Sequence, residues 1–160
     1  MAGDLHPLTE ADAPLLVEAT STETGRSLWG HHPIGPYTHA DAVAALRAWD
    51  HDTSYGIVEH GRLVAAVGLM PDGPASAELA YWVRPEERGR GLAVSALKQL
   101  TTQAHRDGYT RLWLEIDPAN AASLRVAERA GYTYEQRLPD HCLDHTTDTR
   151  HDCLIWVHKG

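Results

Sequence analysis

The residues of this chain best placed to do chemistry form one short run, Arg88-Gly89-Arg90-Gly91-Leu92-Ala93. The apolar run Leu79 to Val83 before it reads as a strand. Pro85 ends that strand, and a helical pattern opens behind the glycines. The first N–H groups of a helix lack intrahelical partners, and the helix dipole favours anions there, so such a turn suits phosphate. Gly89 and Gly91 let the backbone bend without a Cβ clash and let a ligand come close. Arg88 and Arg90 add positive charge at the same place. The run therefore predicts a phosphorylated cofactor.

Three phosphate motifs compete for it. A P-loop needs a Lys-Ser or Lys-Thr pair, and the chain has neither. A dinucleotide fingerprint needs a third glycine where Val94 stands. The third pattern, Arg/Gln-x-x-Gly-x-Gly/Ala, is matched from Arg88 to Ala93. Here the chain resembles the GNAT N-acetyltransferase superfamily, and the resemblance runs from about Ala77 to Glu135. Glu78 to Val83 looks like the family strand before the turn, and Leu112 to Ile116 like the strand that follows its helix. Asn120 to Tyr132 looks like the second family helix, with the Asn-x-x-Ser and Ala-Glu-x-x-Gly-Tyr spacing of the RimJ/RimL-like branch.

The resemblance implies acetyl-CoA as co-substrate. Its pantetheine would lie along Tyr81, Trp82 and Val83, and its pyrophosphate on the N–H groups of Arg88, Gly89, Arg90, Gly91, Leu92 and Ala93. Asn120 and Ser123 would meet the pantetheine or cap their helix; the two roles are compatible. The implied reaction is direct attack of a primary amine on the thioester. Freeing an amine of pKa about 10.4 at pH 7 costs roughly 4–5 kcal/mol, so a base is the larger need. Glu78 is the first candidate and Glu115 the second, with an edge-of-sheet ion pair as the alternative role for either. The leaving thiolate, of pKa about 8.5, needs only about 2 kcal/mol. Many family members place a tyrosine seven residues after the Asn; this chain has Ala127, which leaves Ser123 as the substitute. Trp29, His31, His32 and Tyr37 stand where the family builds its acceptor wall, or else pack their own loop. A non-catalytic sensor of acyl-CoA or amine is the rival function. The resemblance leaves a homodimer open.

Composition agrees with that class. At 160 residues, with 42% hydrophobic and 22% charged residues, the chain is long enough for one domain with a sizeable core. The expected extent is a single acetyltransferase domain over residues 1–160. The net charge of −8 disfavours nucleic acid and suits a cationic acceptor, whether a small-molecule amine, an antibiotic or a protein N-terminus. No apolar run reaches membrane-spanning length, and no export signal opens the chain. The two cysteines are then expected as reduced thiols in a cytoplasm. His141, Cys142, His145, His151 and Cys153 gather near the C-terminus. Their spacing matches no Cys-x₂-Cys pair, so no metal is assigned. A solvated hairpin loop beside the acceptor site is the favoured reading of the segment, and a structural zinc the alternative.

The elements that would position these residues follow from periodicity. Strands are expected at Leu5–Leu8, Ser54–Glu59, Arg62–Leu69, Ser76–Val83, Arg111–Ile116, Tyr132–Arg137 and Cys153–His158. Helices are expected at Ala13–Ala19 with Asp12 as N-cap, after the Thr38-x-x-Asp41 capping box, at Gly89–Asp107 and at Asn120–Ala130. His60-Gly61 reads as a tight hairpin and Pro71 to Pro74 as a turn. The order βααβββαβαββ is the GNAT order. The expected fold is α/β (α+β), a mixed and mostly antiparallel twisted sheet with splayed central strands and about four flanking helices.

Overall fold

The computed structural model describes residues 3–21, 36–48, 54–144 and 149–160. Among them are seven strands and four helices in the expected order: β1 (His6–Pro7), α1 (Ala13–Ala19), α2 (His39–Ala48), β2 (Ser54–Glu59), β3 (Arg62–Gly73), β4 (Ser76–Val83), α3 (Leu92–Arg106), β5 (Arg111–Ile116), α4 (Ala121–Arg129), β6 (Thr133–Asp144) and β7 (Thr149–Lys159). The strands hydrogen-bond in the order β1-β2-β3-β4-β5-β7-β6. The chain forms two compact units, one of residues 1–70 and 80–100, the other of residues 71–79 and 101–160. Strands β3 and β4 and helix α3 pass from one unit into the other.

In the first unit, β1, β2 and β3 are antiparallel neighbours. Residues Leu63 to Leu69 are all buried, as expected of a strand covered on both faces. Gly56 in β2 is required by close approach, because a Cβ there would stand 2.6 Å from Leu63 and 3.0 Å from Leu8. The β2–β3 turn is the expected hairpin, with both His60 and Gly61 at positive φ. The start of α2 carries the expected capping box. The Thr38 N–H donates to Asp41 Oδ2 at 3.0 Å, and the Asp41 N–H donates to Thr38 Oγ1 at 3.1 Å. Asp12 does not cap α1 with its side chain. Its carboxylate instead accepts the Thr9 N–H at 2.8 Å, because a 3₁₀ turn over Glu10–Asp12 precedes the helix.

Arg84, which follows β4, is 2% exposed. Its guanidinium donates to both carboxylate oxygens of Glu18, to the Leu63 carbonyl at 3.2 Å and to Glu86 at 3.1 Å. The Arg84 N–H donates to the Val64 carbonyl at 2.9 Å. The hydrogen bond from Arg84 pulls the Glu18 carboxyl below its ordinary pKa, against a smaller opposing effect of burial. One buried cation thus ties the end of β4 to α1 and β3.

In the second unit, β5 lies between the start of β4 and β7. It pairs antiparallel with β7 along its whole length, Arg111–Ile116 against Leu154–Lys159. With β4 it pairs in parallel only over Ser76–Glu78 with Arg111–Trp113, although β4 continues to Val83 and β5 to Ile116. Asn120 caps α4 as expected, its Oδ1 accepting the Ser123 N–H at 3.1 Å.

Four expectations are corrected. Strand β3 runs to Gly73, and the turn into β4 is Pro74-Ala75, so Pro71, Asp72 and Gly73 extend the hairpin. Helix α3 begins at Leu92 because Gly89 and Gly91 take positive φ, which is not helical. Strands β6 and β7 are longer than expected. The stretch read as a solvated loop is largely paired, with Cys142 opposite His151 and Leu138 opposite Cys153. A bulge between Leu138 and Cys142, with Asp140 at positive φ, hid that pairing from the alternation pattern. Finally, Cys142 and Cys153 form a disulfide rather than free thiols, with their Cα atoms 5.8 Å apart. His145 lies outside the described residues.

Replacing Arg84 by Met would leave Glu18 and the Leu63 carbonyl without their donor. The expected loss is about 2–4 kcal/mol, below the full cost of breaking a buried pair because Glu18 is half-exposed. Urea denaturation of R84M against the parent checks it.

Candidate active site

The glycine-rich turn is built by what stops β4 and what starts α3. Pro85 opens a 3₁₀ turn over Pro85–Glu87, and Arg88 is extended. Gly89 and Gly91 follow at φ +87 and +79, a region other residues enter only with strain. A Cβ at either glycine would meet nothing within 4 Å, so the space over the turn is open. The Gly91 carbonyl accepts the Ser95 N–H at 3.0 Å and starts the 15-residue helix α3. Leu92 and Ala93 then supply first-turn N–H groups of the kind that take phosphate oxygens.

The two arginines serve the turn differently from the expectation. Arg88 Nε donates to the Val83 carbonyl at 3.0 Å, holding the turn back on the strand. Arg90 forms ion pairs with Glu59, at 3.1 Å, and with Glu87. Those hydrogen bonds raise its pKa, Glu59 contributing most. The Arg90 charge is offset by two carboxylates, so what the turn itself presents is backbone N–H. Tyr81 and Val83 are half-buried and Trp82 is buried.

Glu78 is half-buried near the start of β4, in register with Trp113 of β5. Its carboxyl is pushed up to about 7. Loss of solvent is the main cause, and the negative charges of Glu115 and Asp72 add to it. Parallel register puts Glu78 and Trp113 on one face of the sheet, and Glu115, two residues beyond Trp113, shares it. The Trp113 Nε1–H donates to Asp72 Oδ2 at 2.9 Å, which fixes that third carboxylate on the hairpin end. Glu115 Oε1 lies 2.7 Å from Cys142 Sγ and 3.2 Å from Cys153 Sγ, and His141 Nε2 lies 3.8 Å from Glu115 Oε2. The expected pair of acids is therefore brought into mutual influence. Asp72 was missed because Pro-Asp-Gly-Pro reads as a turn, and only pairing through Gly73 reveals it as a strand residue.

Ser123 is half-buried at the third position of α4, and Ala127 is fully buried. Tyr132 offers no proton in place of the tyrosine missing at Ala127. Its hydroxyl is 2.7 Å from Thr101 Oγ1, and burial pushes its pKa up to about 12. Tyr37 is 4% exposed and belongs to the apolar cluster of α1, α2 and β3, with its N–H donating to Thr20 Oγ1 at 3.1 Å. Trp29, His31 and His32 lie outside the described residues.

Residues 4–133 match the family model described as an acetyltransferase (GNAT) domain. The chain belongs to the GNAT acetyltransferase family, and membership makes it an N-acetyltransferase that draws its acetyl group from acetyl-CoA. No curated protein matches the sequence. Among solved structures, a ribosomal-protein-alanine N-acetyltransferase from Brucella melitensis is 19% identical with a TM-score of 0.80, covering 99% of this chain and 100% of its own. RimL, a ribosomal α-N-protein acetyltransferase in complex with coenzyme A, is 17% identical with a TM-score of 0.80, covering 97% and 92%. The microcin self-immunity acetyltransferase MccE, in complex with acetyl-CoA and AMP, is 15% identical with a TM-score of 0.79, covering 98% and 91%. At these identities the likeness is one of fold.

Substituting Gly91 by Asp adds a negative charge and a side chain at a positive-φ position over the open turn. Acetyl-CoA affinity is expected to fall at least tenfold, about 1.4 kcal/mol, by calorimetric titration. An unchanged affinity would remove the turn from the cofactor site.

Proposed function

We propose that residues 1–160 act as one acetyltransferase domain in the cytoplasm, with a primary amine as acceptor and Glu78 as the base that prepares it. The observation that carries this reading is the half-buried Glu78 carboxyl with a pKa raised to about 7. A base of that pKa is half-ionised at neutral pH and is a far better proton acceptor than an ordinary carboxylate. It meets the larger of the two proton demands, since the amine must be freed at a cost of roughly 4–5 kcal/mol at pH 7. Glu115 is the weaker candidate because His141 Nε2 stands 3.8 Å from its carboxylate.

Acetyl-CoA supplies the activated carbonyl. In this reading the N–H groups of Gly89 to Ala93 hold its diphosphate, that of Arg88 being donated to the Pro85 carbonyl, and the backbone of Tyr81 to Val83 holds its pantetheine. The open space over Gly89 and Gly91 supports the placement of the diphosphate. Ser123 is proposed to donate a hydrogen bond to the departing sulfur, from the first turn of a helix whose N-terminus also favours the thiolate. For the acceptor, a protein N-terminus fits the Asn-x-x-Ser spacing of Asn120 and Ser123, and the net charge of −8 suits any cationic amine. Incubating the protein with acetyl-CoA and a panel of short peptides, amino sugars and basic antibiotics, with mass spectrometry of the panel, names the acceptor class. If no panel member gained an acetyl group while acetyl-CoA still raised the melting temperature, the amine classes tested would be excluded as acceptors.

Glu78→Gln is expected to lower kcat about 10²-fold or more while acetyl-CoA affinity stays within twofold. A raised carboxyl pKa means that the base is protonated and idle below it and ionised above it. At saturating amine and without reductant, kcat of the parent should rise through pH 7 and level off above. The groups facing Glu78 are Glu115 of β5 and Asp72 of β3. A pH profile that kept its inflection in E78Q would strike Glu78 from the mechanism.

A further inference from the structure

Across three strands of the second unit, side chains that ligate soft metals converge. Cys142 of β6 and His151 and Cys153 of β7 place one ligand atom each within 4.8 Å of one another. Cys153 is buried, and the other two are half-buried. Glu115 of β5 reaches into the group, its Oε1 being 2.7 and 3.2 Å from the two sulfurs. We propose that the reduced chain binds one zinc-like divalent cation through the Cys142 and Cys153 thiolates and the His151 imidazole, with the Glu115 carboxylate as the fourth ligand.

Four observations carry it. The ligand atoms of Cys142, His151 and Cys153 all lie within 4.8 Å of one another, close enough to share one ion once reduction has separated the sulfurs. The donor types, two thiolates with an imidazole and a carboxylate, select a borderline-soft ion over calcium or magnesium. A carboxylate against two bridged sulfurs gains nothing from them, because a disulfide has no proton to donate. In the reduced chain a cation shared by the three groups would give that carboxylate a partner. His151 is also held from behind: its Nε2 is 3.2 Å from Asp117 Oδ2, leaving the other nitrogen for a ligand bond. A carboxylate that orients a ligating histidine in this way is the usual outer support of a zinc site.

The disulfide and the metal are alternative states of one pair. Oxidation joins the sulfurs with loss of two protons and two electrons to a thiol–disulfide partner such as glutathione disulfide. Reduction by a dithiol or phosphine returns two thiols, and the cation displaces their protons on binding. The spacing of Cys142 and Cys153 in sequence concealed the site, because the ligands come from opposed strands rather than from a Cys-x₂-Cys turn.

The test uses the full chain, reduced with a phosphine, stripped with a chelator and titrated with cobalt(II) and then zinc(II). One cobalt per chain is expected, with an intense thiolate-to-cobalt charge-transfer band, visible bands of tetrahedral strength, and displacement of both by one equivalent of zinc. Zinc should also raise the melting temperature of the reduced chain and block thiol alkylation. His151→Gln, checked as folded by circular dichroism, should weaken zinc at least tenfold. Absence of the charge-transfer band in the reduced parent would overturn the proposal. So would thiols that resist reduction in the folded chain, or unchanged zinc affinity in H151Q. None of these readouts depends on acetyl transfer, so the proposal stands or falls apart from the assignment of Glu78.

Discussion

Strand β4 has to stop where the glycine turn begins, and the buried Arg84 guanidinium holds that stop in place. It gathers the Glu18 carboxylate, the Leu63 carbonyl and Glu86 around one cation. A guanidinium so fully bonded is worth burying, whereas a single partner would not repay its lost hydration. From that fixed end, the 3₁₀ turn and the two positive-φ glycines follow within a few residues, and α3 starts in a defined direction. The turn can then spend its arginines on its own geometry. Arg88 binds back to Val83 and Arg90 is neutralised by Glu59 and Glu87. The space over Gly89 and Gly91 is left open, and backbone donors held by such a turn would need little reorganisation to meet an anion.

A second constraint is electrostatic. Three carboxylates on one face, Glu78, Glu115 and Asp72, cannot all be ionised cheaply when one of them is half-buried. The structure distributes the strain unevenly. Asp72 is held by the Trp113 indole, His141 stands beside Glu115, and Glu78 has no such donor among the hydrogen bonds of the described residues. The Glu78 carboxyl is pushed up to about 7, chiefly by burial. A carboxyl raised in this way suits the role of base proposed for it, and the shift arises from placement rather than from any unusual residue.

How far the sequence could be read divides along physical lines. The element order, the capping box at Thr38 and Asp41, the His60-Gly61 hairpin and the Asn120 cap are local, each decided by a few neighbouring residues, and each was legible. Glu78 was legible through its position in a motif, but its raised pKa was not, because burial, its main cause, and the charges of Glu115 and Asp72 exist only once the strands pack. Arg84 was invisible as an anchor because Glu18 stands 66 residues away. The β6–β7 pairing was hidden by a bulge that breaks the alternation, and with it the convergence of Cys142, His151 and Cys153 on Glu115. What escaped was in each case a contact across paired strands or between segments far apart in sequence, which no short periodic pattern encodes.

The departure at Ala127 fits this division of labour. The amine demands roughly 4–5 kcal/mol at neutral pH, and the leaving thiol, with a pKa near 8.5, only about 2 kcal/mol. A protein can therefore omit a dedicated acid for the sulfur more safely than a base for the nitrogen. Tyr132 shows that an aromatic hydroxyl nearby in sequence does not fill the gap, since it is buried against Thr101 and its pKa is pushed up to about 12. A hydrogen bond from Ser123 together with the positive end of α4 can supply help of the size the thiolate needs, about 1.5–3 kcal/mol for a bond to a charged group. On these magnitudes the proposed reading leaves the lesser proton demand to Ser123 and the helix end, and the greater to the carboxylate proposed as base on β4.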